Sequence, residues 1–312
     1  MTHLRAAYRR TGADAPWHDP RGAHGVPMEG WYWRLVTDDG GVVVALCGVV
    51  TGPDGTEALA ALATGDGGVV TARGRGAAAD RRTLGLEVPG LVRASPSLLE
   101  LAVAPGEALH LRMAGGAWPR RATGGLGPAG WLPGLSQYWH PHTLAAPARG
   151  TLTRAGRPRA VRGLLYAEKN WGPGFPSRWW WAQAHDADTL VAVAGGRLQA
   201  GPAALHATAL VLRHGGRLLR VVAPAGLVRT RVGDGTWRFR GWTARDRVEV
   251  EGRPGARAAA RLPVPAAAGL PGGTVDQHLA GSLHVRWRRD GRLVVDREIG
   301  PAGLEDGRRG AP

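Results

Sequence analysis

Short runs of alternating apolar and polar residues, each ended by Gly, Pro or Asp, recur along most of this chain. Examples are Trp31–Val36, Leu98–Val103 and Leu109–Met113. A period of two places successive side chains on opposite faces of a strand, and turn residues roughly every ten positions connect such strands into antiparallel meanders. Parallel β-α-β units need long helical patterns between the strands, and we see none of adequate length. The sequence therefore predicts an all-β antiparallel fold.

One pattern is repeated within the chain. Trp31-Tyr-Trp33 and Trp179-Trp-Trp181 are each followed by an Asp-bearing turn and an apolar return strand, at a constant offset of 148 residues. Two similar β-units in tandem would explain this echo, and chance matching of Trp, Asp and Gly is the alternative. The predicted organisation is a flexible N-terminal arm (1–24), a first β-unit (25–165), a second β-unit (166–302) and a frayed tail (303–312).

The charge of the chain is strongly positive, at +15, but its basic residues are scattered. No block exceeds a few adjacent basic residues, which favours a solvated surface over a nucleic-acid interface, so no nucleic-acid partner is predicted. Scattered cations still respond to a negative surface potential. Peripheral contact with an anionic membrane surface is therefore compatible with this composition.

The single cysteine and the N-terminus bear on the compartment. Cys47 lies in an apolar run, which is typical of a small core residue, and one cysteine cannot form an internal disulfide. The N-terminus has no apolar stretch of signal-peptide length, and no run approaches a membrane span. We expect a cytoplasmic protein, with attachment to the inner face of the membrane as a further option.

The only lysine and the only asparagine of the chain are neighbours, Lys169 and Asn170. The composition otherwise prefers Arg to Lys, which is typical of a GC-rich bacterial genome. A retained Lys-Asn pair indicates that a planar guanidinium would not serve there, because Lys is a compact charge whose pKa shifts readily on burial. The alternative is chance combined with a structural turn. This segment is the first candidate for a functional site.

Three extended segments carry aromatic, carboxyl and amide side chains on one face each. Alternation groups Glu29 with Trp31 and Trp33, Tyr166 with Glu168 and Asn170, and Trp179 with Trp181 and Gln183. An interior bordered by these faces would be a tryptophan-walled cavity with two carboxyl groups. Burial without a cation raises the pKa of a carboxyl, which can then act as an acid, and indole faces attract cations. The alternative is that the aromatics only fill a core and that Glu168 pairs with an arginine.

Metal and cofactor signatures are weak. The chain contains no CxxC and no HExxH, and His140-Pro-His142 lacks a third ligand. We predict no metal and no cofactor.

Two long motifs resemble the tocopherol cyclase family, namely Met28–Arg34 and Tyr166–Gln183, and Val191–Gly196 is similar to the strand that follows in that family. Weaker matches in the correct order are Trp139–Thr153 and Gly269–Leu283. The resemblance implies two tandem lipocalin-like antiparallel β-barrels, related to the carotenoid 1,2-hydratases. It also implies closure of a chromanol ring on a prenylated hydroquinone or a similar isoprenoid lipid.

Roles for the site residues follow as hypotheses from that resemblance and the strand faces. Either Glu168 or Glu29 would donate the proton, and Lys169 would anchor an oxygen or pair with Glu29. The hydroquinone head would be oriented by Tyr166, Asn170 and Gln183, and the cation would be shielded by Trp31, Trp171, Trp179 and Trp181. A non-catalytic lipocalin-like carrier of such a lipid is the alternative function. Only the cyclase needs a carboxyl in the cavity without a tight arginine partner.

Overall fold

Two large antiparallel sheets follow one another along the chain. The computed structural model of the protein describes residues 2–14, 23–66, 68–80, 83–114, 124–200, 203–265 and 273–308. A helix, α1 (Thr2–Arg9), precedes the first sheet, and a short 3-10 helix spans Gly127–Trp131.

The first sheet consists of β1 (Met28–Thr37), β2 (Val42–Gly52), β3 (Gly55–Thr64), β4 (Val69–Arg75), β5 (Ala78–Ala79), β6 (Leu86–Val88), β7 (Val92–Ser95), β8 (Leu98–Ala104), β9 (Glu107–Met113), β10 (Tyr138–Arg154) and β11 (Arg157–Gly172). The second consists of β12 (Arg178–His185), β13 (Thr189–Ala200), β14 (Ala203–His214), β15 (Arg217–Val221), β16 (Gly226–Gly233), β17 (Thr236–Thr243), β18 (Asp246–Arg253), β19 (Ala260–Val264), β20 (Gly273–Arg289) and β21 (Arg292–Arg308).

The two sheets share one connectivity. Most neighbouring strands are consecutive in the chain, while the first strand of each sheet pairs with the last, β1 with β11 and β12 with β21. The predicted all-β, two-domain lipocalin-like fold is confirmed. The sequence repeat at an offset of 148 residues relates β1 to β12, and each of these strands is the first of its sheet and pairs with the last. The side chains do not correspond, since Trp31 packs inside its own sheet and Trp179 packs outside.

The alternation of side chains creates three apolar layers. One face of the first sheet encloses its own core, which includes Trp31 and Trp33, and the second sheet does the same around Trp180 and Trp287. The outer faces of β1, β10, β11 and β12 then pack against each other in a third layer. This layer between the sheets is the one that positions the site.

The boundary between the two units lies later than residue 165. β11 continues to Gly172 and stays paired with β1 of the first sheet, so the expected boundary cuts through a strand. The physical reason is that Tyr166–Trp171 completes the first sheet by hydrogen bonding to β1. The second sheet begins with β12 at Arg178.

Both predicted flexible ends contain regular structure where they are described. The expected frayed tail is a strand as far as Arg308, because β21 pairs with β12 from Gln183 opposite Gly303 to Arg178 opposite Arg308. The expected arm begins with α1, and the Trp171 indole donates to the Gly12 carbonyl at 2.7 Å. Residues 15–22 and 309–312 lie outside the described residues. No helix in the described ranges is long and apolar enough to cross a membrane.

Candidate functional site

A cavity of about 430 Å³ lies between the two sheets. Residues of both sheets and of the segment between β11 and β12 line it, including the aromatic side chains of Tyr32, Trp139, Phe175, Trp179 and Trp181. The Phe175 and Trp179 rings meet edge to face at 5.1 Å between centroids, and Tyr32 meets Trp181 in the same way at 5.2 Å. Such contacts fix the rings in place. The result is a preformed, mainly aromatic and aliphatic chamber of the kind that binds apolar small molecules.

β11 directs polar side chains toward this chamber. Tyr166, Glu168 and Asn170 alternate along the strand onto the face that meets the second sheet, and the last two line the cavity. Gly30 lies opposite Asn170 in the β1–β11 ladder. A Cβ atom at Gly30 would come within 2.6 Å of Asn170 Oδ1, so the missing side chain leaves room for the amide.

Glu168 is a buried carboxyl with three donors on one oxygen. Its Oε2 accepts hydrogen bonds from Tyr166 Oη at 2.5 Å, from Trp139 Nε1 at 2.8 Å and from Trp181 Nε1 at 3.0 Å. Burial raises the pKa of Glu168, and these three hydrogen bonds oppose that rise. No hydrogen bond between described residues uses Oε1 or brings an arginine to this carboxyl. The arginine pairing considered for Glu168 is therefore absent from the described residues.

A second buried carboxyl, Glu305, lines the same cavity. It lies opposite Trp181 in the β12–β21 ladder and accepts hydrogen bonds from Trp179 Nε1 and, at 2.8 Å, from Gln277 Nε2. Gln277 Oε1 in turn accepts a hydrogen bond from Tyr32 Oη at 2.8 Å. Burial raises the pKa of Glu305 to about 7, and the charge of Glu168 adds to the rise.

The sequence does not indicate Glu305 as a site residue, because it falls in the segment expected to be frayed. The available signal was Gly303-Leu-Glu-Asp-Gly307, in which a carboxyl alternates with glycines. A Cβ atom at Gly307 would lie 1.9 Å from Trp179 Cε2, so the glycine makes room for the indole to cross β21.

Two amide oxygens on the cavity wall lack a hydrogen-bond partner within the described part of the chain. They are Asn170 Oδ1 and Gln137 Oε1, and both are buried. A buried polar atom without a partner is costly, so such atoms mark places where a ligand or water binds. Both are acceptors and suit a ligand that carries hydroxyl donors.

Glu29 and Lys169 lie on the opposite side of the first sheet from Glu168. Lys169 Nζ is 2.5 Å from Glu29 Oε2, and Glu29 Oε1 accepts hydrogen bonds from the backbone N–H groups of His24 and Gly25 at 3.1 and 3.2 Å. Lys169 is fully buried, and this desolvation lowers its pKa. Neither residue lines the cavity. Of the two options for Lys169, the pairing with Glu29 is the one observed.

The expected single interior bordered by all three polar faces does not exist. Alternation in β1 places Glu29 and Trp31 on the side of Lys169, while Glu168 occupies the other side of the same sheet. Trp31 contributes to the cavity wall, yet its ring lies under Lys169 Nζ, 4.5 Å from the ring centroid. Only one of the two proposed acids therefore faces the chamber.

Trp171 and Gln183 also lie away from the cavity. Trp171 is stacked on His24, with 3.9 Å between centroids, where residues before β1 cover the first sheet. Gln183 is buried, accepts from Arg34 Nη1 at 3.2 Å and contacts His185 Nδ1 at 2.8 Å. Both side chains are committed to internal contacts. Of the predicted site residues, the cavity brings together Glu168, Asn170, Trp31, Trp179 and Trp181, and Tyr166 contacts this group through its hydrogen bond to Glu168.

Metal ligands do not cluster in the described ranges. No group of three or more His, Cys, Asp or Glu side chains there could hold a metal ion. His140 and His142, the one pair noted in the sequence, have ring centroids 6.5 Å apart. Cys47 lies in the first-sheet core, where burial raises the pKa of its thiol to about 12.

Comparison with known structures supports the fold. Kievitone hydratase from Nectria haematococca is 11% identical over 89% of this chain and 87% of its own, with a TM-score of 0.52. CghA is 15% identical over 90% of this chain and 88% of its own, with a TM-score of 0.59. At these identities the likeness shows a shared architecture. No curated protein sequence matches significantly.

The sequence profile of the tocopherol cyclase-like family matches residues 116–308. This range includes β10, β11 and the whole second sheet, and so contains both cavity carboxyls. The match covers more than half of the 312 residues, which is enough to assign membership. The chain belongs to the tocopherol cyclase-like family.

Proposed function

We propose that this protein closes a chromanol-type ring on a prenylated hydroquinone or a similar isoprenoid lipid, starting with proton transfer from Glu168 to an alkene. The observation that carries the proposal is a buried carboxyl of raised pKa, without a basic partner in its hydrogen bonds, on the wall of an apolar cavity. A carrier of the same lipid would need the cavity but not this costly carboxyl. Family membership agrees with the proposal.

The hydrogen bonds around Glu168 would allow it to act as a general acid. Three donors hold Oε2, so the transferable proton belongs on Oε1. When that proton leaves for the less substituted alkene carbon, a new C–H bond forms and the other carbon becomes a tertiary cation. The same three donors then stabilise the carboxylate that remains, and they are already oriented for it.

The aromatic wall suits the cation. Indole and phenol faces carry negative electrostatic potential and attract a positive centre. The cavity also limits the access of water, which would otherwise capture the cation and give a tertiary alcohol. The cavity-lining indoles Trp139, Trp179 and Trp181 each donate to one of the two carboxyls, which places these rings beside the site.

Glu305 would act as the general base that accepts the proton of the phenol. Its two oxygens each accept an N–H bond, and its pKa of about 7 lies close to neutrality, so a carboxylate is available there to accept a proton. The phenol oxygen bonds to the tertiary carbon, and its proton passes to the Glu305 carboxylate. The product is an isomer of the substrate, so no oxidant or second substrate is consumed. Return of the proton from Glu305 to Glu168 restores the starting state.

The head group would be held by the two open amide oxygens. Asn170 Oδ1 and Gln137 Oε1 would accept hydrogen bonds from the hydroquinone hydroxyls. Binding of this kind orders the flexible prenyl tail relative to Glu168. The entropy lost in that ordering is a large part of the barrier to such a cyclisation.

The test is incubation with a panel of prenylated hydroquinones, analysed for isomeric products. We expect turnover by the wild type and a loss of at least about a hundredfold in kcat for Glu168→Gln, the low end for removal of a general acid. The matched control is Glu29→Gln, which alters a buried carboxyl outside the cavity and should keep turnover per folded molecule.

Binding measurements separate the two functions. Tight binding of the lipid by the wild type without turnover of any member of the panel would favour the carrier. Turnover that survives Glu168→Gln would exclude Glu168 as the acid.

A further inference from the structure

Exposed leucines from three separate chain segments surround the mouth of the cavity. Leu132 follows the 3-10 helix, Leu205 lies in β14 and Leu227 lies in β16, and they are 56%, 56% and 68% exposed. All three also line the cavity. Single exposed leucines are ordinary, whereas several around one apolar opening mark an interaction site.

The apolar rim extends beyond the lining residues. Trp242 is directly opposite Leu227 in the β16–β17 ladder and is 36% exposed. The described residues include six exposed large apolar side chains, and four of them are at this rim or beside it. The other two, Leu4 and Leu293, do not line the cavity. Exposed apolar surface is therefore concentrated at the entrance.

The segments that form the entrance carry cations and no acids. Residues 124–137, 194–209 and 218–231 contain four arginines and not one Asp or Glu, in a chain with 25 acidic residues. Two of these arginines, Arg229 and Arg231, are exposed and alternate onto the same face of β16 as Leu227. The rim thus combines protruding apolar side chains with flanking positive charge.

We propose that this rim, defined by Leu132, Leu205, Leu227 and Trp242, docks onto an anionic lipid membrane. The leucines would enter the acyl region while Arg229 and Arg231 contact the phosphate groups above them. Interfacial binding of this kind depends on buried apolar area together with attraction to anionic lipids. The net charge of +15 acts in the same direction.

Docking here would connect the membrane to the cavity directly. A prenylated guest is poorly soluble in water, so entry from a bilayer avoids exposure of its tail to solvent. This entry route rests on the proposed function, because it requires a lipid guest. The docking itself is measurable without turnover.

The experiment is sedimentation with phosphatidylcholine vesicles prepared with and without phosphatidylglycerol. We expect the wild type to bind the vesicles that contain phosphatidylglycerol and to be released as salt is raised. The double variant Leu205→Ser/Leu227→Ser should bind at least about tenfold more weakly, because two leucine side chains are no longer transferred from water into the bilayer. Leu293→Ser is the matched control, because Leu293 is 53% exposed on β21 but outside the cavity lining, and it should bind like the wild type.

Two single variants, each of which removes one arginine charge, test the contribution of the arginines to vesicle binding. Arg229→Gln should weaken binding by about fivefold in the presence of phosphatidylglycerol, close to the contribution of one cation at a membrane surface. Arg157→Gln, at an exposed arginine of the first sheet, should have no such effect. Circular dichroism spectra identical to the wild type would show that each variant is folded.

Three results would overturn the proposal. They are absence of wild-type binding to any vesicle, equal binding by the double leucine variant, and an equal loss in Leu293→Ser. Turnover of a short-tailed, water-soluble hydroquinone is measured in parallel. If the wild type turns over nothing yet binds vesicles through the rim, the proposed function fails and the docking surface stands.

Discussion

Glu168 and Lys169 are consecutive in β11 but face opposite sides of the first sheet. Glu168 Oε2 is 2.8 Å from Trp139 Nε1 beside the cavity, whereas Lys169 Nζ is 2.5 Å from Glu29 Oε2 on the inner side. Strand alternation therefore separates the Glu168 carboxyl from the Lys169 ammonium group. This separation lets burial raise the pKa of Glu168 without a neighbouring cation to lower it.

Removal of one partner of the buried Glu29–Lys169 pair should destabilise the protein, because the other charge would remain buried without compensation. Lys169→Met removes the cation and leaves Glu29 buried beside the first-sheet core, so we expect the free energy of unfolding to fall by about 3–5 kcal/mol. Urea unfolding measures this change. The double variant Glu29→Gln/Lys169→Met should recover a large part of the loss because no lone charge remains.

A surface pair provides the comparison. Arg238 Nε is 2.8 Å from Glu251 Oε1, but both side chains are more than a third exposed, at 44% and 37%. Arg238→Met should cost less than about 1 kcal/mol. A loss in Lys169→Met no larger than that in Arg238→Met would contradict the structural role of the buried pair.

His185 should make the protein less stable in acid. Burial, followed by the charge of Arg34, lowers the pKa of His185 from 6.5 to about 3. Below pH 6.5 the unfolded chain takes up a proton that the folded protein does not, so the free energy of unfolding falls by about 1.4 kcal/mol per pH unit until about pH 3. The measurement is urea unfolding across this window, compared with His185→Gln. A variant with the same pH slope as the wild type would contradict the assignment.

Glu305 should make the protein less stable as the pH rises toward neutrality. Its pKa is raised in the folded protein from 4.5 to about 7, so its contribution is complete below pH 4.5 and is lost as pH rises through 7. Glu305→Gln carries no charge, and its stability relative to the wild type should therefore increase by about 3 kcal/mol across that window. Unfolding curves of the two proteins at matched pH give the difference. The exposed Glu298→Gln on the same strand is the control, and an equal trend in that variant would refute the prediction.

Asn170 should discriminate between the hydroquinone and its oxidised form. Asn170→Leu removes an unpartnered acceptor on the cavity wall, so affinity for a prenylated hydroquinone should fall by about tenfold. The corresponding quinone has no hydroxyl to donate to Oδ1 and should lose less affinity than the hydroquinone. Quenching of tryptophan fluorescence on titration reports both affinities. Equal losses for the two ligands would indicate a change of shape rather than a lost hydrogen bond.

The fold class was predictable because strand alternation and turn residues act over a few neighbouring positions. The same local rule correctly grouped Tyr166, Glu168 and Asn170 on one face, and Glu29 with Trp31 on another. The motif that resembles the tocopherol cyclase family lies on β11, the strand that carries Glu168.

The tertiary structure alone decided which core each face meets. The period of a strand separates two faces but does not tell which one turns inward when the sheet curls. The expectation that Glu29 shares an interior with Glu168 is therefore wrong, and no local pattern indicates that Glu305 lines the cavity. Glu305 reaches the cavity only because β21 pairs with β12 across more than a hundred residues of chain. Such long-range pairing depends on the packing of whole sheets, which no local segment encodes.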